Sequence, residues 1–154
     1  MLRISRLTDY GTMVLAELAA RRPQLCSAGQ VSDMTRIAHP TVSKLLKALA
    51  RAGLVTSERG SHGGYTLSRP AEEINAAQIL DALEGPLSIT ECSASDGHCD
   101  FEPWCHVGTA WQRINERIRD ALGEVSLAEL CSEIPVGRAA KPGQSQRSAS
   151  GSPP

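Results

Sequence analysis

The chain has 154 residues, 41% hydrophobic, 21% charged and 3% aromatic. That length suits one domain, or one domain with an appendage, and excludes a large two-domain enzyme. No apolar run approaches the roughly 18–20 residues that span a bilayer, and the start Met1-Leu-Arg-Ile-Ser-Arg6 has neither the apolar core nor the cleavage site of a secretory signal. A cytoplasmic protein without membrane contact is expected, in which five cysteines are thiols, ligands or sensors rather than disulfides. The net charge of −1 hides a division: residues 1–70 carry a balance of +6, residues 71–134 one of −10, and the tail beyond adds three basic residues and no acid. A basic half joined to an acidic one points to contact with a polyanion through the first half alone, against the plainer reading of two solvated faces.

Taken in chain order, Ser5 or Thr8 can cap a first helix whose apolar positions Met13, Val14, Leu15, Leu18 and Ala19 fit 3.6 residues per turn. Arg21-Arg22-Pro23 ends it, because the residue before proline avoids helical angles. A short helix over Ala28–Thr35 follows. A third runs from about Pro40 to Ala52, with proline in its first turn and Val42, Leu45, Leu46 and Leu49 as its buried stripe; Gly53 stops it as a left-handed cap. Leu54–Ser57 and Tyr65–Leu67 read as two short strands around the glycine-rich turn Glu58–Gly64. Three helices and a hairpin in that order describe a winged helix-turn-helix, in a chain that is mainly α with a small β-wing.

Asn75 can cap a helix over Ala76–Leu83, which Gly85-Pro86 ends; Leu87-Ser-Ile89 is a brief strand or turn. Residues 90–105 are polar and hold three cysteines. A long helix is expected from about His106 to Leu122, with Val107, Ala110, Trp111, Ile114, Ile118, Ala121 and Leu122 on one face, and Ser126 caps a last turn with Leu127, Leu130 and Cys131. From 135 to 154 the chain is poor in large apolar residues and is expected to be disordered.

On the third helix, Thr41, Ser43, Lys44 and Lys47 lie opposite the leucines near the helix start, where a recognition helix reaches base edges and phosphates. The alternative is an ordinary amphipathic surface helix. Arg59, at the glycine-rich hairpin tip, can enter a narrow minor groove; His62 can assist or simply be solvated, and Tyr65 packs under the wing. Cys92, Cys99 and Cys105 form a C-x6-C-x5-C set on a loop that leads into the long helix, whereas Cys26 and Cys131 read as small buried hydrophobes. Zinc favours cysteines paired two to four residues apart, and none are so paired here; a thiolate-rich loop without such pairing suits an iron–sulfur cluster, for which three cysteines leave about one position open.

Leu7-Thr-Asp-Tyr-Gly11, the Arg59-Gly-Ser-His-Gly-Gly-Tyr65 wing, Leu127-Ala-Glu-Leu130 and the three cysteines after Pro86 together resemble the winged-helix iron–sulfur regulators of the IscR and NsrR type, over residues 1 to about 134. Within them the chain looks most like the proteobacterial regulators of the SUF cluster-assembly operon. The resemblance implies a homodimer on palindromic double-stranded DNA, with a winged head over 1–70, a cluster-binding loop and dimerisation helix over 71–134, and a tail over 135–154. It implies Cys92, Cys99 and Cys105 as ligands of a [2Fe–2S] or [4Fe–4S] cluster. Members with [2Fe–2S] place a histidine three residues after the last cysteine, where this chain has Gly108; His106 is the nearby histidine. Members with [4Fe–4S] and a nitric-oxide response use an aspartate in the first helix of the partner chain, which Asp9 matches. The implied function is transcriptional regulation, as a repressor of cluster-assembly genes. Two other classes compete: a winged-helix regulator whose cysteines form a thiol switch or zinc site, and a small metalloenzyme or electron carrier. The chain carries no phosphate-cradling loop, nucleophile elbow or His-x-x-x-His pair that would support an enzyme.

Overall fold

A computed structural model of the chain describes residues 5–93, 99–100 and 104–132. Within them, helices α1 (Arg6–Arg21), α2 (Ala28–Thr35) and α3 (His39–Arg51) precede strands β1 (Val55–Glu58) and β2 (Gly64–Leu67), which pair antiparallel with Val55 opposite Leu67; α4 (Ala76–Glu84), α5 (Gly108–Glu124) and α6 (Leu127–Ser132) follow. The expected mainly helical architecture with a two-stranded wing is the one observed. Leu87–Ile89 forms no strand. The expected disordered tail lies outside the described residues.

Helix starts follow local chemistry. Of the two candidate caps for α1, Ser5 fills the role, its hydroxyl accepting the Leu7 amide at 3.2 Å. Ser27 with Gln30, and Asn75 with Gln78, close reciprocal boxes at α2 and α4, and Ser126 with Glu129 does so at α6. Each box satisfies two backbone donors that a helix start otherwise leaves open. The turn between α2 and α3 is made by Arg36 at φ 58°, a left-handed residue that is not glycine. Gly53 at φ 73° ends α3 as expected.

Val14, Leu15 and Leu18 of α1, Val31 of α2 and Val42, Leu45, Leu46 and Leu49 of α3 are buried together with Leu54, Val55 and Leu67 of the wing base. The same core takes in Ile74, Ile79 of α4 and Leu127 of α6, so it runs on beyond residue 70. Truncating a fully buried leucine such as Leu46 to alanine removes about 2–5 kcal/mol from a core of this kind. Gly11 lets α1 meet α4 closely: a Cβ there would stand 2.3 Å from Leu83 Cδ1. The wing is fastened by its neighbour. The Cys26 amide donates to the Tyr65 carbonyl at 2.9 Å, and the Tyr65 amide donates back to Cys26 at 2.8 Å. Gly64 permits this approach, since a Cβ there would lie 2.8 Å from the Cys26 carbonyl oxygen.

Helix α5 rides outside this core. Asn115 is its one buried residue, and its side-chain amide accepts from the Ile89 amide (3.2 Å) while donating to the Leu87 carbonyl (3.1 Å). The segment that leads into the cysteine loop is thereby registered on the helix.

Candidate nucleic-acid interface and cysteine loop

The leucine stripe of α3 faces the core, so the opposite side of the helix is left to solvent. Lys44 and Lys47 are exposed there, while Thr41 and Ser43 are half-buried at the flanks of the stripe. Arg51, a turn further on, continues the basic row. Lys44, Lys47 and Arg51 line a groove of about 360 Å³ whose other wall is Ser57 and Tyr65 of the wing. Arg59 and His62 are exposed at the wing tip, where the Ser61 hydroxyl lies 3.1 Å from His62 Nδ1. Tyr65 packs against the core. Gly60 at φ 130° and Gly63, where a Cβ would sit 2.3 Å from the Glu58 carbonyl oxygen, shape a tip that only glycine fits. The structure thus presents one cationic surface across α3 and the wing. One of its members, Arg51, is absent from the residues expected from sequence, although its spacing to Lys44 and Lys47 announces it.

Three of the cysteines belong to the segment that leads into α5. By its backbone, Cys92 lies in a 3-10 turn over Glu91–Ser93 that packs against α5. Cys99 and Cys105 are half-buried free thiols, and His106 beside Cys105 is exposed. A Cβ on Gly108 would be 3.7 Å from Cys105 Sγ, so the last cysteine lies over the first turn of α5. Residues 94–98 and 101–103 of the loop lie outside the described residues. Among those described, no three His, Cys, Asp or Glu side chains converge as a metal site.

Asp9 is exposed on α1 and lies elsewhere. It lines an apolar groove of about 500 Å³ with Met13, Leu80, Leu122, Leu130 and Cys131. Leu122 is fourteen residues along α5 from Gly108, roughly 21 Å at 1.5 Å per residue. Asp9 thus borders a groove whose α5 wall is the end of that helix away from Cys105. Cys131, expected to be a buried hydrophobe, is half-buried in this groove, and burial pushes its thiol pKa up.

The rest of α5 completes the geometry. Val107, Trp111 and Ile114 are 57%, 40% and 42% exposed, although with Ile118 and Ala121 they recur at alternating spacings of four and three. That period is the seam of a coiled coil. The apolar face foreseen for this helix exists, and in the single chain it is turned to solvent. Asp81 of α4 pairs with Arg119 on the flank of α5, their closest atoms 2.5 Å apart. Among the described residues no helix is long and apolar enough to cross a membrane.

A helix-turn-helix with a basic α3 and a wing defines a DNA-binding transcriptional regulator. The chain belongs to the Rrf2 family, described as iron-dependent transcriptional regulators, whose profile matches residues 4–133. An HTH-type transcriptional regulator of Neisseria meningitidis serogroup A is 38% identical over 103 residues, covering 67% of this chain and 69% of its own. Among solved structures, CymR, the global cysteine regulator of B. subtilis, is similar at 29% identity and a TM-score of 0.64, over 86% of this chain and 98% of its own. IscR of T. potens is similar at 25% identity and a TM-score of 0.62, over 85% of this chain and 87% of its own.

Proposed function

We propose that this protein is a homodimeric, cytoplasmic repressor of iron–sulfur assembly genes, of the IscR and NsrR type and nearest the SUF regulators. Its affinity for a palindromic operator is set by an iron–sulfur cluster on Cys92, Cys99 and Cys105, completed by Asp9 of the partner subunit. The observation that supports the reading is the place of Asp9 on a groove bordered by the end of α5 away from Cys105. Two α5 seams packed antiparallel would bring that end of one chain, and Asp9 with it, toward the cysteine loop of the other. The donors fit such a group: soft thiolates at the start of a helix, and position 108 beside Cys105 filled by a glycine that offers no ligand.

A bound cluster would supply a centre that reacts with oxygen or nitric oxide. The residues do the remainder. Cys105 sits over the first turn of α5, whose far end borders the groove lined by Asp9. Unneutralised, three thiolates and a carboxylate gathered there repel one another, so the two heads are freed to turn. Two α3 helices read a palindrome only when spaced by about one turn of DNA or a multiple of it, so a change of posture is a change of affinity. Thr41, Ser43, Lys44 and Lys47 meet the major groove in this reading, with Arg59 and His62 at the minor groove.

Anaerobic purification with iron and sulfide analysis, followed by DNA binding with and without the cluster, tests the proposal. Bound iron and visible absorbance are expected, lost in Cys99→Ala while the dimer persists. Colourless, iron-free protein that binds DNA unaltered would overturn it. The likeness to a protein called a global cysteine regulator favours a second reading, in which the same thiols switch by oxidation or hold zinc. Thiol titration of the iron-free dimer before and after oxidant separates that case.

A further inference from the structure

The basic head and the acidic half are joined by a line of polar contacts through α4. At one end, the carbonyl of Gly53, the left-handed residue between α3 and β1, accepts from the Ser68 hydroxyl at 2.7 Å and from Arg69 Nη1 at 3.2 Å. The same guanidinium donates through Nε to the Glu73 carbonyl at 3.0 Å and through Nη2 to Gln78 Oε1 at 3.0 Å. Gln78 Oε1 also accepts the Asn75 amide at 3.1 Å, and the Gln78 amide donates to Asn75 Oδ1 at 3.0 Å. One turn along α4, Asp81 grips Arg119 of α5. Beside that box, the Ala76 amide donates to Val125 at 2.9 Å and the Leu127 amide to Ile74 at 2.7 Å, so the start of α4 is laced to the corner between α5 and α6.

Arg69 is the member no other residue type can replace. Its planar fork reaches acceptors on three segments at once: the α3–β1 corner, the turn before α4, and α4 itself. A lysine has one nitrogen on a flexible stem and cannot span them. The guanidinium is half-buried in the crevice between the end of α3 and α4, lined by Ala52, Leu54, Gln78 and Asp81, and so is committed to protein acceptors rather than held out to a duplex.

We infer that Arg69 is a positioning residue for DNA recognition: through Gln78 it couples the posture of α5 to the α3–β1 corner, and hence to the angle between recognition helix and wing, without touching nucleic acid. The inference needs only the DNA binding of the family and stands whether or not a cluster is bound. Coupling through such a tie belongs to the range of 5–150-fold in affinity.

The test uses the full-length dimer in its iron-free form and an operator duplex recovered by the wild-type protein from a pool of randomised duplexes. Binding is titrated across salt concentrations, well below the melting temperature. Arg69→Met, which keeps the aliphatic stem, is expected to weaken binding roughly tenfold with the salt slope unchanged, and Arg69→Lys is expected not to restore it. Arg119→Met is expected to weaken binding in the wild-type background and to add nothing once Arg69 is methionine. A slope reduced by about 0.9, the signature of one lost phosphate contact, would make Arg69 a DNA ligand and overturn the inference. So would affinity within about twofold of wild type, or a pair of substitutions whose effects simply multiply. Should Arg69→Met fail to fold, Gln78→Ala carries the same expectations, because it cuts the line at its second member.

Discussion

Arg59 and Glu84 show how differently two exposed charges act. Arg59 stands at the wing tip without an ion-pair partner among the described residues, so its guanidinium is available to a phosphate or a narrow groove. Arg59→Ala is expected to weaken operator binding by about 1–3 kcal/mol and to lower the salt slope by about one; titrations at several salt concentrations read both. Glu84 instead looks inward to its own chain. Its carboxylate accepts from the Ser5 hydroxyl, and from the Thr8 hydroxyl at 2.5 Å, and these bonds hold its pKa below the ordinary carboxylate value. The carboxylate form is the one that is bonded. The stabilisation is thus present above the ordinary carboxylate pKa and is lost as pH falls through the lowered one. Glu84→Gln is expected to flatten the acid side of the melting-temperature profile, measured from neutral pH downward, with solvent screening keeping the effect small.

At the scale of elements, α5 is the one whose sequence and surroundings disagree within a single chain. Its apolar residues keep a seam period, yet Val107, Trp111 and Ile114 stay largely exposed in the protomer. Ile114→Glu is expected to turn the dimer into monomers while α1–α4 stay folded, as light scattering and far-UV circular dichroism would show; a dimer that persists would place the interface elsewhere. The head was legible in the chain because its signals are local: Ser5 as a cap, Gly53 as a stop, leucines three and four apart on α3. The α2–α3 turn was not, since Arg36 adopts its left-handed angle under the constraint of buried Ile37 and Thr35, without a turn residue. Nor was Asn115, a polar residue amid an apolar face, whose role depends on backbone groups 26 and 28 positions earlier. Of the candidate sites, the cationic row of α3 followed from period alone. The place of Asp9 on a groove bordered by the far end of α5 could not, because no local pattern sets how α1 and α5 lie against each other.

For the whole molecule, a ligand supplied by Asp9 of the partner subunit makes each proposed centre a property of two chains. A dimer mixed from Asp9→Ala and Cys99→Ala subunits should hold one complete set, made by the cysteines of the first chain and the aspartate of the second, and one set defective in both. Iron per mixed dimer is expected near half the wild-type value, with wild-type absorbance shape. If both homodimers and the mixture are equally depleted, Asp9 does not serve across the interface. His106, directly beside Cys105 and exposed, is the competing donor, and His106→Ala exceeding Asp9→Ala in its effect on iron retention would assign the position to it.

The amide of Asn115 has an outcome beyond its own two hydrogen bonds. It offers one acceptor and one donor to backbone groups of fixed polarity, so the side chain can sit only one way round. An isosteric aspartate would turn an oxygen toward the Leu87 carbonyl, two like dipoles face to face, and a leucine would strand both peptide groups. Through this residue the helix therefore recognises the peptide skeleton of the incoming segment. A change of side chain at residues 87–89 leaves these two bonds in place, whereas a change at position 115 breaks one or both.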